Sequence, residues 1–125
     1  MPKLRQVFQA LAEAGALANW LHIAGPAAPI LQYYANAGVH LANFDYVVSA
    51  AEAKDKLPLT CLNGNIKPLL FVDGSPQEIE RAALDLLRAF SDRRGFILSS
   101  GCEIPPEAKP GNVAALANAA KAKWQ

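Results

Sequence analysis

Six residues of this chain combine reactive side chains with a telling position: His22, Asp45, Asn63, Asn65, Cys102 and Glu103. Each stands at or just past the end of a short apolar run. The clearest context is FILSSGCEIPP, residues 96–106. Phe96-Ile97-Leu98 is short, apolar and bounded by breakers, so it reads as a buried strand. Pro105 and Pro106 cannot continue a ladder. The Cys102 thiol and the Glu103 carboxylate therefore follow a strand that has just ended, which is where parallel α/β folds build their sites. His22 belongs to another apolar run, where period-two alternation places Trp20, His22 and Ala24 on one face. Asp45 closes Asn43-Phe44-Asp45-Tyr46, and Asn63-Gly64-Asn65 offers amides in a turn-forming context. If these run ends share one side of a sheet, Asp45, Asn63, Asn65 and Glu103 are candidates for holding a substrate. Plainer roles stand beside these. His22 could bond a backbone carbonyl, Cys102 could be a small buried thiol, Asp45 could cap a helix or pair with a cation, and Asn63-Gly64-Asn65 could only shape a loop.

The elements that must position these residues follow from hydrophobic periodicity. Leu4, Phe8, Leu11 and Ala12 recur at helical spacing, and Gly15 ends the run. A strand is expected over residues 16–23, a helix over 26–37 with Gly38 as its stop, and a strand over 39–44. Ser49 with Glu52 predicts a capping box for a short helix that Pro58 closes. A third strand is expected over 59–62, ending in Asn63-Gly64-Asn65. Ser75, Pro76 and Glu78 form the strongest helix start, followed by a stripe of Ile79, Ala82, Ala83, Leu86, Leu87 and Phe90. Arg88, Arg93 and Arg94 suit that helix's negative end. The strand at 96–98 follows, then a helix carrying Val113, Leu116, Ala117 and Ala120. Four strand-then-helix units imply an α/β fold with a parallel sheet.

Composition narrows the function. At 125 residues, 52% of them apolar, the chain is one domain with enough material for a core. A net charge of +1 argues against a nucleic-acid surface. No apolar run reaches the ~18 residues of a membrane span, and Gln6, Gln9 and Glu13 interrupt any signal-like start, so a cytoplasmic location is expected. There the two cysteines, Cys61 and Cys102, are read as free thiols, or one of them as a ligand, rather than as a disulfide. No phosphate-loop motif and no Ser-His-Asp arrangement occurs, and His40 has no motif around it.

The stretches GCEIPPEAKPGNVAALANAA, NGNIKPLLFVDGSPQEI and LHIAG together resemble the C-terminal part of the uroporphyrinogen decarboxylase superfamily. They look more like its cobalamin-dependent methyltransferases, of the methylcobamide:coenzyme M type, than like its decarboxylases. The resemblance implies the C-terminal half of a (β/α)8 TIM barrel. It implies a zinc site whose histidine matches His22 and whose distant cysteine matches Cys102. Ala24 occupies the place of a further cysteine, leaving Glu103 as the remaining third donor, so weak zinc binding or none is expected. The implied chemistry is transfer of a methyl group from a corrinoid, carried by a partner protein, to a zinc-activated thiol. Lys67 replaces the usual aspartate of the family's Asn-Gly turn. The decarboxylase reading is weaker, because Cys102 stands where that branch carries a histidine and its arginines and aspartate belong to the other half. The alternative is a non-catalytic half-barrel that binds only with a partner. Half a barrel leaves an apolar face and two strand edges open. A homodimer, or a partner supplying the other half, is therefore expected, with covering by the opening helix as a competing outcome.

Overall fold

The computed structural model describes residues 1–92 and 95–122. Helix α1 (Pro2–Glu13) leads into β1 (Trp20–Ile23), two short turns of helix, α2 (Ala28–Leu31) and α3 (Tyr34–Ala37), and β2 (Leu41–Phe44). Then come α4 (Ala50–Lys56), β3 (Cys61–Ile66), α5 (Leu70–Asp73), α6 (Pro76–Ala89), β4 (Phe96–Ser100) and α7 (Pro110–Ala122). The strands form one parallel sheet in the order β1-β2-β3-β4. No helix among the described residues is long and apolar enough to cross a membrane.

Alternation divides the sheet into two faces. Leu21 and Ile23, Ala42 and Phe44, and Leu62 and Phe96 pack with Leu31, Tyr34, Leu57 and Phe90 of the helical side. A second cluster, Ile66, Phe71, Ile79, Ala83 and Ala119, joins β3 to α5, α6 and α7. Phe90 links sheet and helix by stacking on Phe96 at 3.9 Å between ring centroids. Helix α6 starts where its capping box requires: Ser75 Oγ accepts from the Glu78 amide, and the Glu78 carboxylate accepts from the Ser75 amide at 2.8 Å. Asn112, fully buried, donates to the carbonyls of Phe71 and Gly74 and so pins α7 to the end of α5. The opposite face carries Trp20, Leu41 and Ile97 and is left bare, with Trp20 63% and Ile97 48% exposed. Helix α1 packs on α3 instead of covering that face.

Several boundaries differ from the expected ones, each for a physical reason. Residues 16–19 are not strand. Ala16 closes the end of α1 by donating to Leu11, and β1 begins only at Trp20. The expected helix 26–37 breaks into α2 and α3, with Gly38 ending α3 in the left-handed region at φ 89°. Strand β2 starts at Leu41 because Val39 still bonds back to Tyr34. Strand β3 runs on to Ile66, so Asn63-Gly64-Asn65 is strand and not the turn its composition suggested. Strand β4 reaches Ser100. Ser49 does cap α4 through the Glu52 amide, but the Glu52 carboxylate pairs with Lys56 at 3.0 Å rather than returning to the cap. Helix α5 was not anticipated. Arg93 and Arg94 lie outside the described residues.

The Tyr34 ring is fully buried and its hydroxyl has no protein hydrogen-bond partner among the described residues. Burial raises the phenol from its ordinary 10.0 to about 12. The unfolded chain thus loses this proton first, and stability falls as pH rises from 10.0 towards 12. Tyr34→Phe should remove that alkaline loss. It should also stabilise the neutral protein by about 1 kcal/mol, because an unsatisfied buried hydroxyl disappears. Thermal melts of both proteins at pH 8 and across the alkaline range check this; a lower melting temperature for the variant at pH 8 would contradict it.

Candidate functional site

The register of the parallel ladder sets the site. His22 lies opposite Asn43, Asn43 opposite Asn63, and Asn63 opposite Ile97, a row across the bare face. One step toward the strand starts, Trp20 lies opposite Leu41. One step toward the strand ends, Asn65 lies opposite Ser99. These rows and the segment after β4 enclose a cleft of about 530 Å³, lined by Trp20, His22, Leu41, Asn43, Asn63, Ile97, Ser99, Ser100, Cys102 and Glu103. Its apolar end is Trp20, Leu41 and Ile97, and its polar end is the remainder.

His22 Nε2 lies 3.3 Å from Cys102 Sγ, within hydrogen-bond reach. The two belong to opposite edges of the sheet. Three strand spacings, roughly 14 Å, would separate those edges if the sheet were flat. The segment after β4 must therefore turn back over the strand ends, and Gly101 lets it do so. A Cβ on Gly101 would stand 2.6 Å from the Tyr46 amide nitrogen, so only glycine allows this approach to the β2–α4 connection. The Gly101 amide also donates to Ile66 at 2.8 Å, holding the turn to the end of β3. Gly64 repeats the device in mid-strand: its φ of +150° and the Phe44 carbonyl 2.8 Å from a built Cβ exclude a side chain there.

The other predicted residues divide into two groups. Asn63 and Glu103 line the cleft. Asn63 is buried and joins Asn43, whose amide nitrogen donates to Asn63 Oδ1 at 2.6 Å and to the Ser100 carbonyl at 3.2 Å. Asn63 in turn donates to the Ile97 carbonyl. Asp45 and Asn65 are not among the lining residues and face the backbone instead. Asp45 Oδ2 accepts from the Gly25 amide at 2.7 Å, tying the end of β2 to the turn after β1. Asn65 donates to the carbonyls of Asp45 and Val48, at 3.2 and 2.7 Å, and so braces the β2–α4 connection against which Gly101 packs. Lys67 lies 5.7 Å over the Tyr46 ring on that same side. Sequence reasoning missed Asn43, Ser99 and Ser100 as lining residues. Register supplies the signal, since they share rows or strand ends with residues already singled out. No disulfide joins Cys61 and Cys102.

The profile of the family described as "Uroporphyrinogen decarboxylase (URO-D)" matches residues 1–123. A uroporphyrinogen decarboxylase of Synechococcus sp. is 32% identical over 93 residues, covering 74% of this chain and 26% of that protein. One from Coxiella burnetii is 29% identical over 90 residues, covering 71% of this chain and 25% of the relative. The chain thus spans about a quarter of the length of these curated relatives. Among solved structures, a methyltransferase from Methanosarcina mazei superposes with a TM-score of 0.82 and 27% identity, covering 98% of this chain and 36% of that one. The four βα units accordingly correspond to part of a TIM-barrel-like fold, as half a barrel does.

Gly101→Ala should cost about 2 kcal/mol, because backbone must shift to admit the methyl group. Gly111→Ala, within α7 and meeting only Pro76 Cγ at 3.9 Å, should instead stabilise by about 0.5 kcal/mol through helix propensity. Urea unfolding of both variants tests the assignment, and equal effects of the two substitutions would refute the close approach at Gly101.

Proposed function

The chain belongs to the uroporphyrinogen decarboxylase family, and on that footing we propose that it supplies the His22–Cys102 side of a methyltransferase-type site, one that moves a methyl group from a corrinoid to a thiol. The observation that carries this reading is the 3.3 Å approach of His22 Nε2 to Cys102 Sγ at the cleft mouth, across 80 residues of sequence. A corrinoid would supply the methyl group there, and His22 at the mouth would take up the proton that the accepting thiol gives up. The corrinoid would be presented by a partner protein. The half-barrel's own contribution is the apolar and amide-lined cleft below the mouth.

The zinc centre that the resemblance implies does not fit the residues present. No group of three or more His, Cys, Asp or Glu side chains among the described residues could hold a metal. His22 and Cys102 are two donors, and a stable tetrahedral site takes three or four protein ligands. Glu103 lines the cleft but is not part of any such group. Ala24, exposed like His22 and one residue past the end of β1, has no donor to offer. This shortfall favours a second reading, in which the half-barrel binds rather than catalyses and acts only with a partner. Decarboxylation has the least support, since Cys102 stands in the place of that branch's histidine.

The bare sheet face also asks for a cover. Parallel sheets are buried on both faces, yet Trp20 and Ile97 are largely exposed here and β1 and β4 are edges among the described residues. A second copy, or another half-barrel from a partner, would bury that face and pair those edges.

Two measurements test the proposal. Metal analysis after dialysis against a chelator should find far less than one zinc per chain. Ala24→Cys should raise the bound zinc at least about tenfold, by adding a thiolate on the His22 face. Stoichiometric zinc in the unmodified chain, or no gain in the variant, would overturn this account of the site. In sedimentation equilibrium at micromolar concentration, the chain should run at twice its 13.4 kDa mass and Ile97→Glu should return it to one copy. A well-folded 13.4 kDa species for the unmodified chain would rule out the second copy as the cover.

A further inference from the structure

We propose that Cys102 is a nucleophile toward α,β-unsaturated carbonyl compounds, with His22 as the group that takes the thiol proton and returns it to the adduct. The inference stands on the geometry of the pair and does not depend on methyl transfer.

The contact is anchored from both ends. Gly101 seats against the Tyr46 amide and donates to the Ile66 carbonyl at 2.8 Å, so the backbone just before the thiol has one place to lie. The Ser100 hydroxyl donates to the Cys102 carbonyl and holds the segment from the other side. His22 belongs to β1 and is paired in register with Asn43. Sulfur and Nε2 therefore meet at 3.3 Å from two fixed backbones, and no other partner of the His22 ring is found among the described residues. With the ring hydrogen on Nδ1, the thiol donates to Nε2, and its proton can cross to the ring without a third group. Two donors fall short of the count that holds zinc, so the sulfur electron pair stays available for carbon.

The pair is also reachable. His22 is exposed, Cys102 is half-buried, and both line the cleft. Cys102 lies beyond the end of β4, and His22 lies two residues past Trp20 toward the end of β1. Closing the sheet into a barrel buries its face and pairs its edges but leaves the strand ends open, where barrels carry their sites. A second copy or a partner half-barrel therefore leaves the pair accessible.

The chemistry follows from having a thiol and one proton carrier. The sulfur electron pair forms a bond to the β-carbon of the alkene, and the π pair moves toward the carbonyl as an enolate. The His22 imidazolium then returns the proton to the α-carbon. The product is a thioether that keeps every atom of both reactants, with no leaving group, oxidant or further reactant. An alkyl halide would leave the imidazolium charged beside an uncharged thioether, whereas the enolate needs the proton that His22 holds.

Acrylamide, a small member of the class, tests this on the full chain at pH 7 and the micromolar concentration of the sedimentation experiment. Mass spectrometry of the digested chain follows Cys102, with Cys61 at the start of β3 as reference in the same sample. Cys102 should be labelled about tenfold or more faster in the folded chain than in urea. His22→Gly should slow it by about tenfold or more without changing the Cys61 rate, and added imidazole should restore most of the loss. His22→Gln, which keeps a side chain on the strand, should slow Cys102 to the same extent. Labelling no faster than in urea, or an unchanged rate in either variant, would overturn the proposal. So would a slowing in His22→Gly that imidazole does not reverse, since His22 would then only support the segment. Metal analysis decides the zinc and corrinoid reading separately.

Discussion

The mouth of this half-barrel depends on one close contact, the seating of Gly101 against the backbone at Tyr46. Strand β4 is the far edge of the sheet from β1, yet the segment after it must reach back to His22. It does so by crossing the end of β3 and resting on the β2–α4 connection, where a methyl group would already collide. That connection cannot yield, because Asn65 holds two of its carbonyls and the Asp45 carboxylate ties its start to Gly25. Asp45 and Asn65 thus serve the site indirectly. They hold the platform on which Cys102 is delivered to His22.

The row His22–Asn43–Asn63–Ile97 shows a second constraint. Asparagine is poorly suited to a strand interior, and a buried amide is costly unless bonded. Here each amide nitrogen is bonded, to the next strand's amide or to a carbonyl of β4. The amides therefore link three strands across the face that the helices do not cover. A purely apolar row would have made that face stickier toward any other protein and would have left nothing to orient a ligand.

On the proposed reading, Ala24 offers no metal donor beside His22. Two donors at 3.3 Å make a hydrogen-bonded thiol–imidazole pair, and a pair lacks the ligand count that gives zinc its affinity. Among the described residues, the cleft is lined by one carboxylate and by no lysine or arginine.

Much of the architecture was legible in the residue order. Four apolar runs alternating with helical stripes required a parallel α/β sheet, and the Ser75–Glu78 box located the start of α6 because capping is a local interaction. His22, Cys102 and Glu103 were identifiable as strand-end residues for the same local reason. What local signals could not decide was anything set by contacts between distant segments. Asn63-Gly64-Asn65 has turn composition, but β3 extends through it because β2 pairs with it as far as Asn63 and β4 as far as Ile66. Helix 26–37 looked continuous, but the chain breaks it between Leu31 and Tyr34, two residues that are both fully buried. Whether Asp45 and Asn65 face a ligand or a backbone depends on where the β2–α4 connection lies relative to Gly25 and Gly101. Tertiary packing alone decides that, because a hydrogen-bond partner is chosen by distance in space and not by position along the chain.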